Sequence, residues 1–170
     1  MLFRSEEILS SILPDLNAIA VFAINKDLKL VIDDHFKDIR IQPLMQSVWT
    51  HLYRRSYAGP RRKLYAYFHE KRMEVFSFQQ NRFRFSNSYE ATNEHDALYY
   101  LLYIWKLTGM DVEKDELYIV GDIHYQDWLI DKIKQHLKFC RVINQEVYFN
   151  NSQLAKRTDI PYDMKTIYLE

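Results

Sequence analysis

The side chains best suited to metal or nucleophilic chemistry are six histidines, a single cysteine and a few acids placed where strands or helices begin and end. His35, His51, His69, His95, His124 and His136 stand singly, with no His-x-x-x-His pair, so the local spacing that sets two imidazoles on one helix face for a metal is missing. His95 beside Asp96 and His124 near Asp122 could meet in space, but isolated histidines are expected at the surface or at helix caps. Cys140 follows an apolar residue at an expected strand start and reads as a small core residue rather than a nucleophile. The cluster Arg54, Arg55, Arg61, Arg62 and Lys63 reads as a solvated linker face, with anion binding as the alternative. No spacing in the chain makes a strong catalytic, metal-binding or phosphate-binding signature.

The elements that must position these residues belong to a globular chain. Its 170 residues are 48% hydrophobic and 15% aromatic, enough for a packed core and one domain or two small ones. Lys+Arg and Asp+Glu both number 23, so no net field gathers a polyanion and nucleic acid is not an expected partner. The lone cysteine, and an opening without a basic-then-apolar leader, place the chain by expectation in a reducing cytoplasm. No apolar run approaches the roughly 20 residues that span a bilayer, so no direct membrane insertion is expected.

Along the chain, the spacing of Ile8, Leu9, Ile12 and Leu13 predicts a helix over 6–13, stopped by Pro14. The apolar run 18–24 predicts a strand buried on both faces, as in a parallel sheet. Asn25 can cap a helix through Phe36, Ile39 and Ile41 alternate as a short strand, and Pro43 can open a helix bearing Val48, Trp49, Leu52 and Tyr53. Tyr57 to Pro60 is the expected linker. Beyond it, 64–69, 73–78 and 83–89 read as an antiparallel meander. In the third strand Phe83, Phe85 and Tyr89 are expected on one buried face, with Arg82, Arg84, Ser86 and Ser88 on a wet one. Thr92 or Asn93 caps a long helix ended by Gly109, residues 117–120 form a buried strand, Trp128 to Leu137 lie on a further helix, and 141–144 form a fifth strand. Residues 147–149 and 166–169 are expected as short added strands.

The second half thus reads β-β-β-α-β-α-β, one complete ribonuclease-H-like unit over 62–170. The first, 1–58, reads α-β-α-β-α, the same unit without its opening three strands. Two such units in tandem are the plan of the actin and sugar-kinase superfamily. The runs 61–69 (RRKLYAYFH), 96–106 (DALYYLLYIWK) and 115–122 (DELYIVGD) resemble an uncharacterised bacterial family, domain of unknown function 3822. The resemblance covers nearly the whole chain and implies an α/β, actin-like ATPase fold, while the family carries no assigned activity. Its members are longer at the N-terminus, which implies a truncated copy here, and the opening Met1-Leu2-Phe3-Arg4 does not look like family sequence. A first sheet lacking strands is expected to leave an exposed edge and to be the less protected half.

The resemblance also implies where a nucleotide would sit. Actin-like proteins hold ATP and magnesium between their halves with glycine-bearing hairpins, because only glycine lets backbone approach a phosphate closely. The matching hairpin here is His69-Glu70-Lys71-Arg72, without glycine, and the later turn offers the single pair Gly121-Asp122. Glu70, Gly121 and Asp122 are the nucleotide-site candidates. A nuclease-like two-metal site would draw on Asp96 and Asp122, but the first strand offers Tyr65, Tyr67 and His69 and no carboxylate before Glu70. Asp96 is also explained by the helix dipole and Asp122 by the turn. The aromatics of 99–105, with Tyr125 and Trp128, exceed what one helix face needs, and aromatic surplus marks either core or a protein interface. The expected function is a non-catalytic actin-like scaffold or protein-interaction domain with a protein partner and no cofactor. The alternative is a nucleotide-binding ATPase or switch whose site is completed by missing strands.

Overall fold

A computed structural model describes residues 5–56, 60–80, 82–150 and 152–168. Met1 to Arg4, Tyr57, Ala58, Gly59 and Asn81, which include most of the expected linker, lie outside the described residues. The centre is a five-stranded sheet in the order β5-β4-β3-β6-β7. Strands β3 (Lys63–His69), β4 (Arg72–Gln79) and β5 (Arg82–Glu90) form the meander; β6 (Glu116–Gly121) and β7 (Cys140–Val142) run parallel to β3. Helices α3 (Glu94–Leu107) and α4 (Gln126–Lys134) make the crossovers. This is the expected β-β-β-α-β-α-β unit.

Both faces of the sheet are covered. Leu64, Ala66, Met73, Val75, Leu117 and Ile119 pack with Leu101, Ile104 and Trp105 of α3 and with Leu129 and Ile133 of α4. Tyr65, Tyr67, Phe76 and Phe78 point the other way, against Val48, Leu52 and Tyr53 of α2 (Met45–Ser56) and Tyr162 of α6 (Tyr162–Tyr168). Strand β5 serves both layers, contrary to the expected single apolar face. A bulge puts Phe83 opposite Phe78 and Phe85 opposite Ser77, so Arg84 is the extra residue. One added residue reverses the alternation, sending Phe83 to the α2 layer and Phe85 and Tyr89 to the α3 layer.

The start of the chain differs most from expectation. Glu6–Leu13 is a strand, β1, paired antiparallel with β2 (Ala18–Asn25) in a separate two-stranded sheet. The Ile8, Leu9, Ile12, Leu13 spacing fits either period. Pro14–Leu16 forms one 3-10 turn, and Asn17 at φ 48° reverses the chain so that β1 can pair with β2. Strand β2 is accordingly not buried on both faces, since Ile19 and Val21 are exposed. Asn25 caps α1 (Lys26–His35) as expected, its side-chain oxygen accepting from Leu28 N at 3.0 Å. Helix α1 buries no residue completely. Residues 39–41 form no strand, and the order of 6–56 is β-β-α-α rather than α-β-α-β-α.

Near the C-terminus the two expected strands are also helical. Asn144 accepts from Glu146 N and Val147 N and opens α5 (Gln145–Tyr148), and α6 turns its buried Tyr162 and Thr166 toward the α2 layer. Leu169 lies outside the described residues.

Candidate functional site

A cleft of about 720 Å³ opens at the carboxyl ends of β3, β6 and β7, where the strands end and α5 and the 155–165 segment close the far side. Ligands of open α/β sheets bind at this edge. The fold brings all three nucleotide-site candidates, Glu70, Gly121 and Asp122, to its rim. A neighbouring cavity of about 510 Å³ shares Glu70 and Asp122 and extends toward Ala91, Thr92 and Tyr125.

The local geometry explains each candidate without a ligand. Glu70 lies in the two-residue turn joining β3 to β4, where His69 pairs with Arg72, and its φ of 53° is the left-handed value that such a turn demands. Gly121 has φ 108°, and a Cβ there would lie 1.9 Å from the carbonyl oxygen of Phe68. Its glycine lets β6 run close to β3, and the next residue, Asp122, donates its N–H to that same oxygen at 3.0 Å. The Asp122 carboxylate is exposed and stands 3.6 Å from His124 Nδ1.

The cleft carries more acid than base. Glu70, Asp122, Glu146 and Asp159 line it against Lys156 and Lys165. Lys165, which no sequence motif marks, is buried and donates to Gln145 Oε1 at 2.9 Å and to the Ala155 carbonyl at 3.2 Å. Burial lowers its pKa, against the raising influence of Asp159 and Glu146. Its ammonium therefore ties α6 to α5 and the 155 turn, an internal role that leaves less of it for an anion.

The remaining candidates separate cleanly. Asp96 accepts from Asn93 Nδ2 at 2.6 Å and Thr92 Oγ1 at 3.3 Å beside the Asn93 cap of α3, so it is a capping acid. Among the described residues no group of three or more His, Cys, Asp or Glu could hold a metal. His51 is buried among Phe149 and Tyr162, not at the surface, and His69 stacks on Tyr67 at 4.9 Å. His95 packs on Trp128 at 4.8 Å rather than joining Asp96. Cys140 is partly buried, and burial pushes its thiol up to about 12, which keeps it un-ionised.

The basic cluster keeps Arg54, Arg55 and Arg61 exposed, as expected, while its cations are held by acids and carbonyls. Arg54 donates to Asp15 at 2.8 Å, Arg55 to the Tyr148 carbonyl, Arg61 to Glu116 at 3.1 Å, and Lys63 to the Ser56 carbonyl at 2.8 Å. Arg62 pairs with the largely buried Asp115 at 2.7 Å.

The aromatic surplus resolves residue by residue. Trp105 is core, Tyr100 packs on Tyr89 at 4.7 Å, and Tyr125 donates its hydroxyl to the Ala91 carbonyl. Tyr99, Tyr103 and Leu107 remain 63%, 49% and 65% exposed. Their i, i+4, i+8 spacing aligns them as one ridge along α3, and the two tyrosine rings stack at 6.0 Å, 8° from parallel.

Among curated proteins nothing matches this chain. Among solved structures, a Bacteroides thetaiotaomicron protein described as having an actin-like ATPase fold and unknown function superposes with a TM-score of 0.80 over 96% of this chain, at 22% identity. The chain spans 58% of that protein's length. That likeness fixes the fold as α/β and actin-like. A family model matches residues 2–140, so the match takes in Leu2 to Arg4, which had looked foreign to the family, and stops at Cys140. The chain belongs to the family described as protein of unknown function DUF3822.

Proposed function

We propose that this chain is a non-catalytic protein-interaction module on an actin-like frame, with the ridge Tyr99, Tyr103 and Leu107 as its contact surface. The exposed ridge carries the reading. Three large side chains in line on a well-anchored helix, two of them stacked on each other, present amphipathic area at little entropic cost, the composition favoured at the centre of protein interfaces. The cleft supports the same reading from the other side. Its acids outnumber its bases, its β3–β4 turn has no glycine, and Gly121 answers to strand packing, so a polyphosphate meets repulsion without a backbone cradle.

The test is a photo-crosslinking residue at position 103 of the intact protein in its host. The reading expects one defined protein adduct, lost when Tyr99 and Leu107 are both changed to Ser and retained when the crosslinker variant also carries Asp122→Asn. No adduct, or one unaffected by the Ser changes, overturns it. The second reading, a nucleotide switch, rests on the gathering of Glu70, Gly121 and Asp122 at the carboxyl edge of the parallel strands.

A further inference from the structure

The ridge on α3 ends at a cavity. Leu107 also lines a hollow of about 490 Å³ where the end of α3 meets β4 and β5, with Phe85 and Met110 in its apolar wall. Arg62, Lys63 and Arg84 line it and no carboxylate does, the reverse of the acid-rich cleft at the other end of the strands. Two of these cations are engaged within the chain. Arg62 reaches Asp115 and the carbonyls of Thr108 and Gly109, and Lys63 donates to the Ser56 carbonyl. Arg84 differs. It is exposed, and among the described residues its side chain makes no hydrogen bond or ion pair; the same holds for Lys106, three residues after Tyr103 and so beside the ridge. The acids of α3, Glu94 and Asp96, lie in its first turn, so the ridge runs from an acidic start to a basic end. Ridge and cavity both belong to the β-β-β-α-β-α-β unit, whose five strands and two crossover helices are all present, so no element of that unit is left to cover them.

We propose that the ridge takes an acidic, amphipathic peptide segment of its partner, with one large apolar side chain entering the cavity against Phe85, Leu107 and Met110 and neighbouring carboxylates meeting Arg84 and Lys106. This rests on the ridge being the contact surface and adds the chemistry of what it contacts. Charge complementarity selects the acid, because the two cations free of partners flank the cavity mouth and face no carboxylate of the chain's own. Length selects the peptide. Tyr99 and Leu107 stand about 12 Å apart along the helix, so a small acid that filled the cavity would leave the stacked tyrosines bare, whereas an extended or helical segment covers both. A uniform polyanion fits less well, since at the other end of the ridge it would meet Glu94 and Asp96. The cavity supplies the enclosed pocket in which an apolar anchor contributes most to a protein contact.

A random peptide library displayed on phage and selected on the immobilised full chain tests this, with thermal unfolding to confirm that each variant is folded. The wild type is expected to enrich sequences that set Trp, Phe or Leu beside Asp or Glu. The Arg84→Glu, Lys106→Glu variant is expected to enrich Lys or Arg in the same places, and to bind a synthetic peptide from the wild-type selection about tenfold more weakly or worse. Peptides that carry no acidic preference, or that bind the charge-reversed variant undiminished, overturn the acidic partner; the ridge reading survives that result when Tyr99→Ser with Leu107→Ser abolishes their binding. No enrichment, or binding indifferent to those Ser changes, overturns the ridge reading and this proposal with it. N-acetyltryptophan displacing the peptide at the peptide's own concentration would make the cavity a small-acid site and overturns the peptide.

Discussion

Gly121→Ala isolates the close approach of β6 to β3. At φ 108° an L residue is strained by about 1–3 kcal/mol. The added Cβ would stand 1.9 Å from the Phe68 carbonyl oxygen, far inside contact distance and against backbone that cannot swing aside. Relief requires β6 to part from β3, loosening the Asp122 N–H bond to Phe68, worth roughly 0.5–1.5 kcal/mol, and the packing on either side. Together the cost is on the order of 3–5 kcal/mol, the range of severe single substitutions. For a chain of this size that lowers Tm by about 6–20 °C. Gly109→Ala is the control, for Gly109 also has positive φ, at 61°, but nothing lies within 4 Å of an added Cβ. It keeps only the left-handed penalty, about 1–2 kcal/mol. Thermal unfolding of both variants decides the matter: equal losses would refute the claim that Gly121 is fixed by strand approach and return it to the list of ligand-binding glycines.

Four further outcomes follow from the same geometry. Asn93→Ala removes the acceptor for His95 N and Asp96 N at the start of α3 and should cost about 1 kcal/mol in urea unfolding. Asp115→Ala strips the carboxylate that holds Arg62 and also accepts from Asp111 N, and should cost about 3 kcal/mol in the same assay. In alkali, burial raises the pKa of Tyr65 and Tyr67 above the ordinary 10, and Tyr118 to about 12, chiefly by desolvation. The unfolded chain then loses protons first, so their contribution to stability is whole below pH 10 and falls as pH rises beyond it; phenolate absorbance should report these rings only as the chain unfolds. Lys63 and Lys165, whose pKa values are lowered by burial, act in the opposite sense just below 10.5. Hydrogen exchange should be faster in β1, β2 and α1 than in β3, β6 and α3, because α1 buries no residue and the hairpin is open on one face.

The central unit was legible because its signals were local and mutually consistent: alternation in 64–89, the Asn93 cap and Gly109 stop around α3, and the apolar run 117–120. Ile8 to Leu13 misled because two apolar pairs four residues apart satisfy both periods, and the deciding information was the partner strand, not the segment. The β5 bulge was invisible for a related reason, since Phe83 and Phe85 alternate in sequence while one unpaired Arg84 separates their faces. At the cleft, Glu70, Gly121 and Asp122 were found through resemblance, and structure brought them to one rim. Lys165 was missed because its partners, Gln145 Oε1 and the Ala155 carbonyl, are 20 and 10 residues away and form no motif.

The account turns on whether the cleft is a nucleotide site, and titration calorimetry of the intact protein with ATP and magnesium addresses that directly. The acidic lining and glycine-free turn predict no saturable heat up to millimolar ATP. Saturable binding that is abolished by Glu70→Ala or Asp122→Asn, in variants that unfold at the wild-type temperature, would contradict it.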